Sequence, residues 1–272
     1  MAVKRKAAPK RATESRAERM GERPGAPALE KGLDLLEALA EDPGGLTQKA
    51  LAVRLGRSVG EIFRMLGVLE RRAYIARDAA TGQYGLTLRL FELANRHPPM
   101  RRLQSAALPI MQDLARATGL ACHLVMVNAD RILVVAQAEP DRQMGWSVKL
   151  GAVFALSEHF ASARVLAAFQ PPARRAAMEA IMAAQPDAAP RAALTRRLDR
   201  IARAGYDMAP SEWANGITDI SVPIIDHLGE AIAALTVPYL PQIRETVDKD
   251  EVLRLQRAAA QRISVAIGGG GE

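Results

Sequence analysis

The chain is poor in cysteine and histidine, two residues on which much catalytic and metal chemistry depends. It holds one cysteine, Cys122, in 272 residues, which excludes an intrachain disulfide and a cysteine zinc cluster. Cys122 lies in an apolar run and reads as a small buried residue rather than a nucleophile. The histidines His97, His123, His159 and His227 are scattered along the sequence. No P-loop, nucleophile elbow or HExxH motif is present. No catalytic residue, metal site or cofactor is therefore expected. Aromatic residues make up only 4% of the chain. No apolar run reaches the roughly 18 residues of a membrane helix, and the start of the chain, charged from Lys4 onward, lacks an apolar signal core. These absences point to a cytoplasmic protein without a membrane partner.

What is present is a basic chain with ample core. The hydrophobic fraction is 49%, the net charge +7 and the isoelectric point 9.9. The length suggests two domains, and the charge suits a negatively charged partner. Residues 1–25 are rich in Lys, Arg, Ala and Pro and read as a disordered basic arm.

The stretch 46–86 is the most informative. Thr47 suits the cap of a short helix whose apolar side is Leu51 and Leu55. Gly56 stops that helix, since glycine turns left-handed without steric cost. Ser58 and Glu61 then fit a capping box for a second helix, with Ile62, Leu66 and Leu69 on its apolar face and Arg64 opposite. Tyr74–Ile75 and Tyr84–Leu86 are strand-like and flank a hairpin tip at 78–82. A preceding helix over 29–40, with Leu29, Leu33, Leu36 and Ala40 as its buried stripe, completes a three-helix core. Two helices joined by a tight turn and followed by a two-stranded wing describe a winged helix-turn-helix over 26–87. Arg57, Arg64, Arg71, Arg72 and Arg77 strengthen that reading over a plain helical bundle.

Residues 88–99 read as a helical linker broken by His97-Pro98-Pro99. A helix over 100–118 follows, with Leu103, Ala107, Ile110 and Leu114 inside. Cys122–Val127 and Arg131–Ala138 read as a hairpin, and Trp146–Leu150 as a further strand closed by Gly151. Helices are expected over 161–169, on either side of 185–187, and over 191–203. Strands are expected over 216–225 and 230–237, a final helix over 249–267, and a flexible tail over 268–272. Elements mix without strict alternation, so residues 100–267 form an α+β domain with a mainly antiparallel sheet.

The order of these parts resembles the IclR-type bacterial transcriptional regulators over nearly the whole chain. The matching residues are Lys31-Gly32-Leu33, Gly56 to Leu66, Tyr84-Gly85-Leu86, Gly151, the helix at 161–168, Gly205-Tyr206, Glu212, Gly216 and Pro223-Ile224-Ile225-Asp226. The resemblance implies a winged-helix DNA-binding domain, a C-terminal effector domain with a GAF-like fold, and a homodimer or tetramer on operator DNA. The chain departs from the family pattern at Gly60-Glu61, where Ser-Thr is common. It departs again at Ala155-Leu156-Ser157 and Ser162-Ala163.

Two sets of site residues follow. On double-stranded DNA, Gly60, Glu61 and Arg64 would face the major groove, where Arg64 could bond guanine bidentately or hold a phosphate. Glu61 could accept from cytosine, but the Ser58 cap already occupies its carboxylate. Phe63 would touch a thymine methyl or pack against the wing, with packing favoured. Arg77 and Gln83 flank the hairpin and would meet phosphate or the minor groove, Thr47 and Gln48 suit a phosphate at a helix start, and Arg57 and Ser58, at the turn between the two helices, complete the set expected on DNA. In the second domain, strand alternation places Asp219 and Ser221 on one face, and Thr236 interrupts the apolar run 231–235. By resemblance, Asp219 and Thr236 match effector-contacting positions. Ser157, His159 and Ser162 belong to the loop and helix start that would close a pocket for a small organic acid or aromatic. A carboxylate at 219 would repel an anion unless Arg164 or His159 supplied a counter-charge. The expected function is a sequence-specific regulator, a repressor by preference, controlled by a small molecule. The alternative is a ligand-sensing or small-molecule enzyme domain whose winged helix serves dimerisation only.

Overall fold

A computed structural model of the protein describes residues 26–96, 98–142, 145–241 and 247–269. The chain divides into two compact units between Arg96 and His97.

In the first unit, α1 (Pro27–Ala40) is followed by β1 (Leu46–Thr47), α2 (Gln48–Arg54) and α3 (Val59–Arg71). Then come β2 (Ile75–Arg77), β3 (Gln83–Leu86) and α4 (Arg89–Asn95). The short strands pair antiparallel in the order β1-β3-β2, which makes the wing. Thr47 caps α2 by accepting from the Ala50 amide at 3.2 Å. Gly56 stands at φ +62° between α2 and α3, a conformation that a β-carbon would strain. Leu35, Leu39, Leu51, Ile62, Leu66, Ile75 and Tyr84 form the core of this unit. The α1 stripe differs from the expectation: Leu35, Ala38 and Leu39 point inward, whereas Leu29, Leu33 and Ala40 are exposed. Leucine occurs on two sides of this helix, so periodicity alone does not choose between them.

The second unit begins with α5 (Pro98–Thr118), whose first turn contains the proline pair expected to precede the helix. Proline fits that turn because its missing amide has no intrahelical partner there. His97 lies outside the described residues. The strands β4 (Cys122–Asn128), β5 (Arg131–Ala138) and β6 (Val153–Ala155) lead to α6 (Ala161–Ala168), α7 (Pro172–Ala183) and α8 (Arg191–Ala204). The strands β7 (Asp207–Pro210), β8 (Thr218–Ile225) and β9 (Ala231–Tyr239) follow, and α9 (Lys249–Ala266) closes the unit.

Among the described residues of this unit, β4 to β9 form one antiparallel sheet in the order β6-β5-β4-β9-β8-β7. Residues of α5 and α9 pack with Leu124, Ala136, Ile220, Val222, Leu235 and Val237 in one cluster. Residues of α6, α7 and α8 pack with Val125, Ile132, Val134 and Ala234 in a second cluster. The sheet is thus a layer between two helical layers, an α+β arrangement. Gln256 of α9 is fully buried and donates to the carbonyls of Ile220 and Leu235 at 2.9 and 2.7 Å, joining the helix to β8 and β9.

Residues 146–150 are not a strand. Gly151 turns at φ +80°, its amide bonds the Val134 carbonyl at 2.9 Å, and ladder pairing with β5 starts only at Val153. Trp146 and Val148 instead line the cavity described below. β-rich composition marks a side chain that needs apolar surroundings, not which backbone partner it finds.

Candidate DNA-reading helix and effector cavity

On the first unit, the exposed side of α3 carries Val59, Gly60, Phe63 and Arg64. Phe63 is 64% exposed and does not pack against the wing, so the packing expectation is corrected. Its neighbours Ile62 and Leu66 supply the anchor of the helix, which leaves Phe63 on the outer face. Arg64 makes no ion pair with any described residue, and a β-carbon at Gly60 would meet open space.

Around that face, several of the expected contacts already have intramolecular partners. Glu61 Oε2 accepts from the Ser58 amide at 2.8 Å and from Ser58 Oγ at 2.9 Å, while Glu61 Oε1 meets Lys31 Nζ at 3.2 Å. Those Ser58 bonds, with Lys31 beside them, hold the Glu61 pKa down at about 2. Arg57 donates from Nη2 to Asp34 Oδ2 at 2.8 Å, tying the turn to α1. Gln48 donates to the Val59 carbonyl at 3.3 Å, joining α2 to the start of α3. Arg77 lies over the Tyr84 ring at 5.8 Å, and Gln83 opens β3 opposite Thr47.

The second unit contains a cavity of about 570 Å³ on the α6 side of the sheet. Its floor comes from His123 and Val125 of β4, Ile132 and Val134 of β5, Thr236 of β9 and Asp219 of β8. Phe160, Ala161 and Ser162 bring the first turn of α6 to it. The segment 146–149 with Ala152 and Phe154, and Ser211 with Trp213, complete the wall.

Ser162, Asp219 and Thr236, all expected at the site, are brought together here. Ser221 lies beneath the surface, fully buried, sharing a 2.6 Å hydrogen bond with Thr236. Ser157 and His159 instead line a neighbouring, more open cavity with Asp187 and Glu212, where His159 Nδ1 stands 3.5 Å from Glu212 Oε1. The two cavities share Phe160 and Trp213.

His159 is therefore engaged away from Asp219. Arg164 is almost wholly buried, donating to Asp207 Oδ2 at 2.6 Å and to the Glu158 carbonyl. Its charge acts on Asp219 from a distance, and burial, the larger effect, pushes the Asp219 carboxyl above its ordinary range against a hydrogen bond from Ser211.

Sequence reasoning missed the central residue of the floor. Gln137, His123, Thr236, Ser221 and Asp207 are successive register partners across β5, β4, β9, β8 and β7. They form a polar row across a face that is otherwise mostly apolar, Asp219 excepted, and the row is visible only once strand order and register are known. His123 is 7% exposed, and burial lowers its pKa to about 4, so the imidazole is neutral near pH 7. It has no hydrogen-bond partner among the described residues, and neutral imidazole offers one donor and one acceptor. The aromatic wall was missed too. The sequence has two tryptophans, and both line this cavity, with Phe154, Phe160 and Trp213 forming ring contacts at 5.2, 5.7 and 6.3 Å.

Residues 28–79 match the model of the IclR helix-turn-helix domain, and residues 100–265 match that of the bacterial transcriptional regulator IclR C-terminal domain. The chain belongs to the IclR family of bacterial transcriptional regulators. It is 28% identical over 255 residues to the glycerol operon regulatory protein of Streptomyces coelicolor, covering 89% of this chain and 97% of that one. It is 24% identical to the transcriptional repressor AllR of Klebsiella pneumoniae, covering 90% and 91%. Its fold matches the IclR homolog of Microbacterium hydrocarbonoxydans complexed with 4-hydroxybenzoate, with a TM-score of 0.72 and 23% identity over 88% of this chain and 98% of that one. The protein is a DNA-binding, effector-controlled transcription regulator and not an enzyme. Among the described residues, no helix is long and apolar enough to cross a membrane.

Proposed function

We propose that this member of the family is a cytoplasmic repressor that reads its operator with α3 and is released or retained by a small molecule in the 570 Å³ cavity of the second unit. The observation that carries the reading is the outer face of α3, where Gly60, Phe63 and Arg64 are exposed while Arg57, Ser58 and Glu61 are committed to shaping the turn. Arg64 reads guanine or holds phosphate, Phe63 covers a thymine methyl, and Thr47, Gln48, Arg77 and Gln83 flank the groove. Repression is supported by the relative named as a repressor. The protein acts as a homodimer or tetramer; exposed Leu29 and Leu33 on α1, with Leu88 and Leu93 beside or on α4, supply apolar surface for a second copy.

A cavity with a neutral buried histidine, serine hydroxyls and an aromatic wall suits a small organic ligand. Such a ligand controls DNA binding only through unequal affinity for two arrangements of the protein. The test is a mobility shift on DNA upstream of the protein's own gene, repeated with compounds that quench Trp146 and Trp213. Quenching compounds are expected to change the shift. Saturable quenching with no change in DNA binding would refute control through this cavity.

A further inference from the structure

Resting on the effector reading of this cavity, we infer that its ligand carries a protonated amine, seated against Asp219 and the surrounding aromatic rings. Asp219 is a half-buried carboxylate on the floor of a largely apolar cavity, and no ion pair reaches it among the described residues. Arg164, whose charge acts on Asp219 from a distance, gives Nε to Asp207 at 2.6 Å and Nη1 to the Glu158 carbonyl, and its remaining nitrogen, the buried Nη2, makes no hydrogen bond to Asp219. Ser211 gives Asp219 a hydrogen bond but no charge, and burial pushes its carboxyl upward, as for a group short of a cation. A bound ammonium supplies that cation.

The rest of the wall agrees. Phe154, Phe160 and Trp213 form a contacting set of rings, and Trp146 faces the same space. Aromatic faces attract organic cations, tryptophan most strongly. His123 is neutral, so it adds no repulsion and presents an acceptor to an N–H donor. A ligand whose only charge is a carboxylate would meet Asp219 as a like charge in a poorly hydrated space. Lys149 also lines the cavity, from an exposed segment, and is not among the charges that steady Asp219. With the first-turn amides of α6 it can hold a carboxylate elsewhere on the same ligand. An aromatic amino acid therefore satisfies both poles, an aromatic amine satisfies one, and an aromatic acid leaves Asp219 opposed.

The test uses the full-length protein and three probes that each carry one phenyl ring on a two-carbon chain: phenethylamine, phenylacetate and 2-phenylethanol, with phenylalanine as a fourth. Binding is read by quenching of Trp146 and Trp213 and by the shift in Tm. Phenethylamine is expected to bind at least tenfold more tightly than phenylacetate or the alcohol, and Asp219→Asn to remove most of that preference. Preferential binding of phenylacetate, tightened in Asp219→Asn, would overturn the amine and leave the effector reading of the cavity standing. Failure of all four probes to quench would count against both. The wild-type comparison decides the matter even where the variant does not fold.

Discussion

Glu61 closes back on Ser58, with Oε2 2.8 Å from the Ser58 amide, so the acidic residue at the start of α3 is a cap and not a free acceptor on the outer face of the helix. Lys31 of α1 meets the other oxygen at 3.2 Å. These bonds hold the carboxyl pKa at about 2, against an ordinary value of 4.5. A carboxyl depressed on folding stabilises the native state above its unfolded pKa, and that contribution is lost as pH falls through the folded value. The first unit is therefore expected to lose stability between about pH 4.5 and 2, and Glu61→Gln to flatten that part of the Tm–pH curve. Ser58→Ala, which removes the reciprocal bond, should cost about 1 kcal/mol, read as a lower urea midpoint at neutral pH.

His123 gives a second pH dependence at a higher window. Burial lowers its pKa from 6.5 to about 4, so the folded protein resists a proton that the unfolded chain accepts. Stability is whole above about pH 6.5 and falls as pH drops toward 4. The fall follows the linkage slope for one proton, about 1.4 kcal/mol for each pH step of one between the two values. His123→Gln should reduce this slope, measured by chemical denaturation at pH 7 and pH 5. Equal slopes in both proteins would show that the imidazole is not held neutral.

Asp207 and Arg164 form a buried pair behind the cavity, 2.6 Å apart. Removing one member leaves the other charge without compensation, a loss of about 3–5 kcal/mol. Asp207→Ala is therefore expected to unfold the second unit at a markedly lower temperature in calorimetry. A small change would mean that the arginine finds water or another acceptor.

Arg64 is an exposed cation near the start of the outer face of α3. Arg64→Ala should weaken operator binding by about 1–3 kcal/mol if the guanidinium reads a base, with relaxed preference at one position. If it holds a phosphate instead, affinity falls about equally on all duplexes and the salt slope drops by about one. Anisotropy on a set of singly substituted duplexes separates the two. Val53 on α2, 76% exposed and away from these residues in sequence, is the control position.

Local signals in the sequence carried the winged helix. Ser58, Gly56, Glu61, Ile62 and Leu66 act within one or two turns of each other, and local spacing contains that information. The face of Asp219 was legible from strand alternation for the same reason. Contacts across long sequence separations were not. Arg57 reaches Asp34, 23 residues away, and Arg164 reaches Asp207, 43 residues away, and nothing in either neighbourhood selects the partner. His123 gained meaning only from register across β4 and β9, which sets it beside Thr236. The scarcity of tryptophan was the one available sign of the cavity wall, since both tryptophans lie there. The exposed Leu29 and Leu33 show the opposite limit: leucine spacing marked a helix correctly while the inward face was another.

The most direct measurement is fluorescence anisotropy of the full-length protein on the duplex upstream of its own gene, against a shuffled duplex of equal length, over a salt series. An operator-reading α3 predicts tighter binding to the native duplex by about a thousandfold or more. It also predicts that log affinity falls linearly with log salt concentration. Equal affinity for the two duplexes, or no binding to either at low ionic strength, would contradict it.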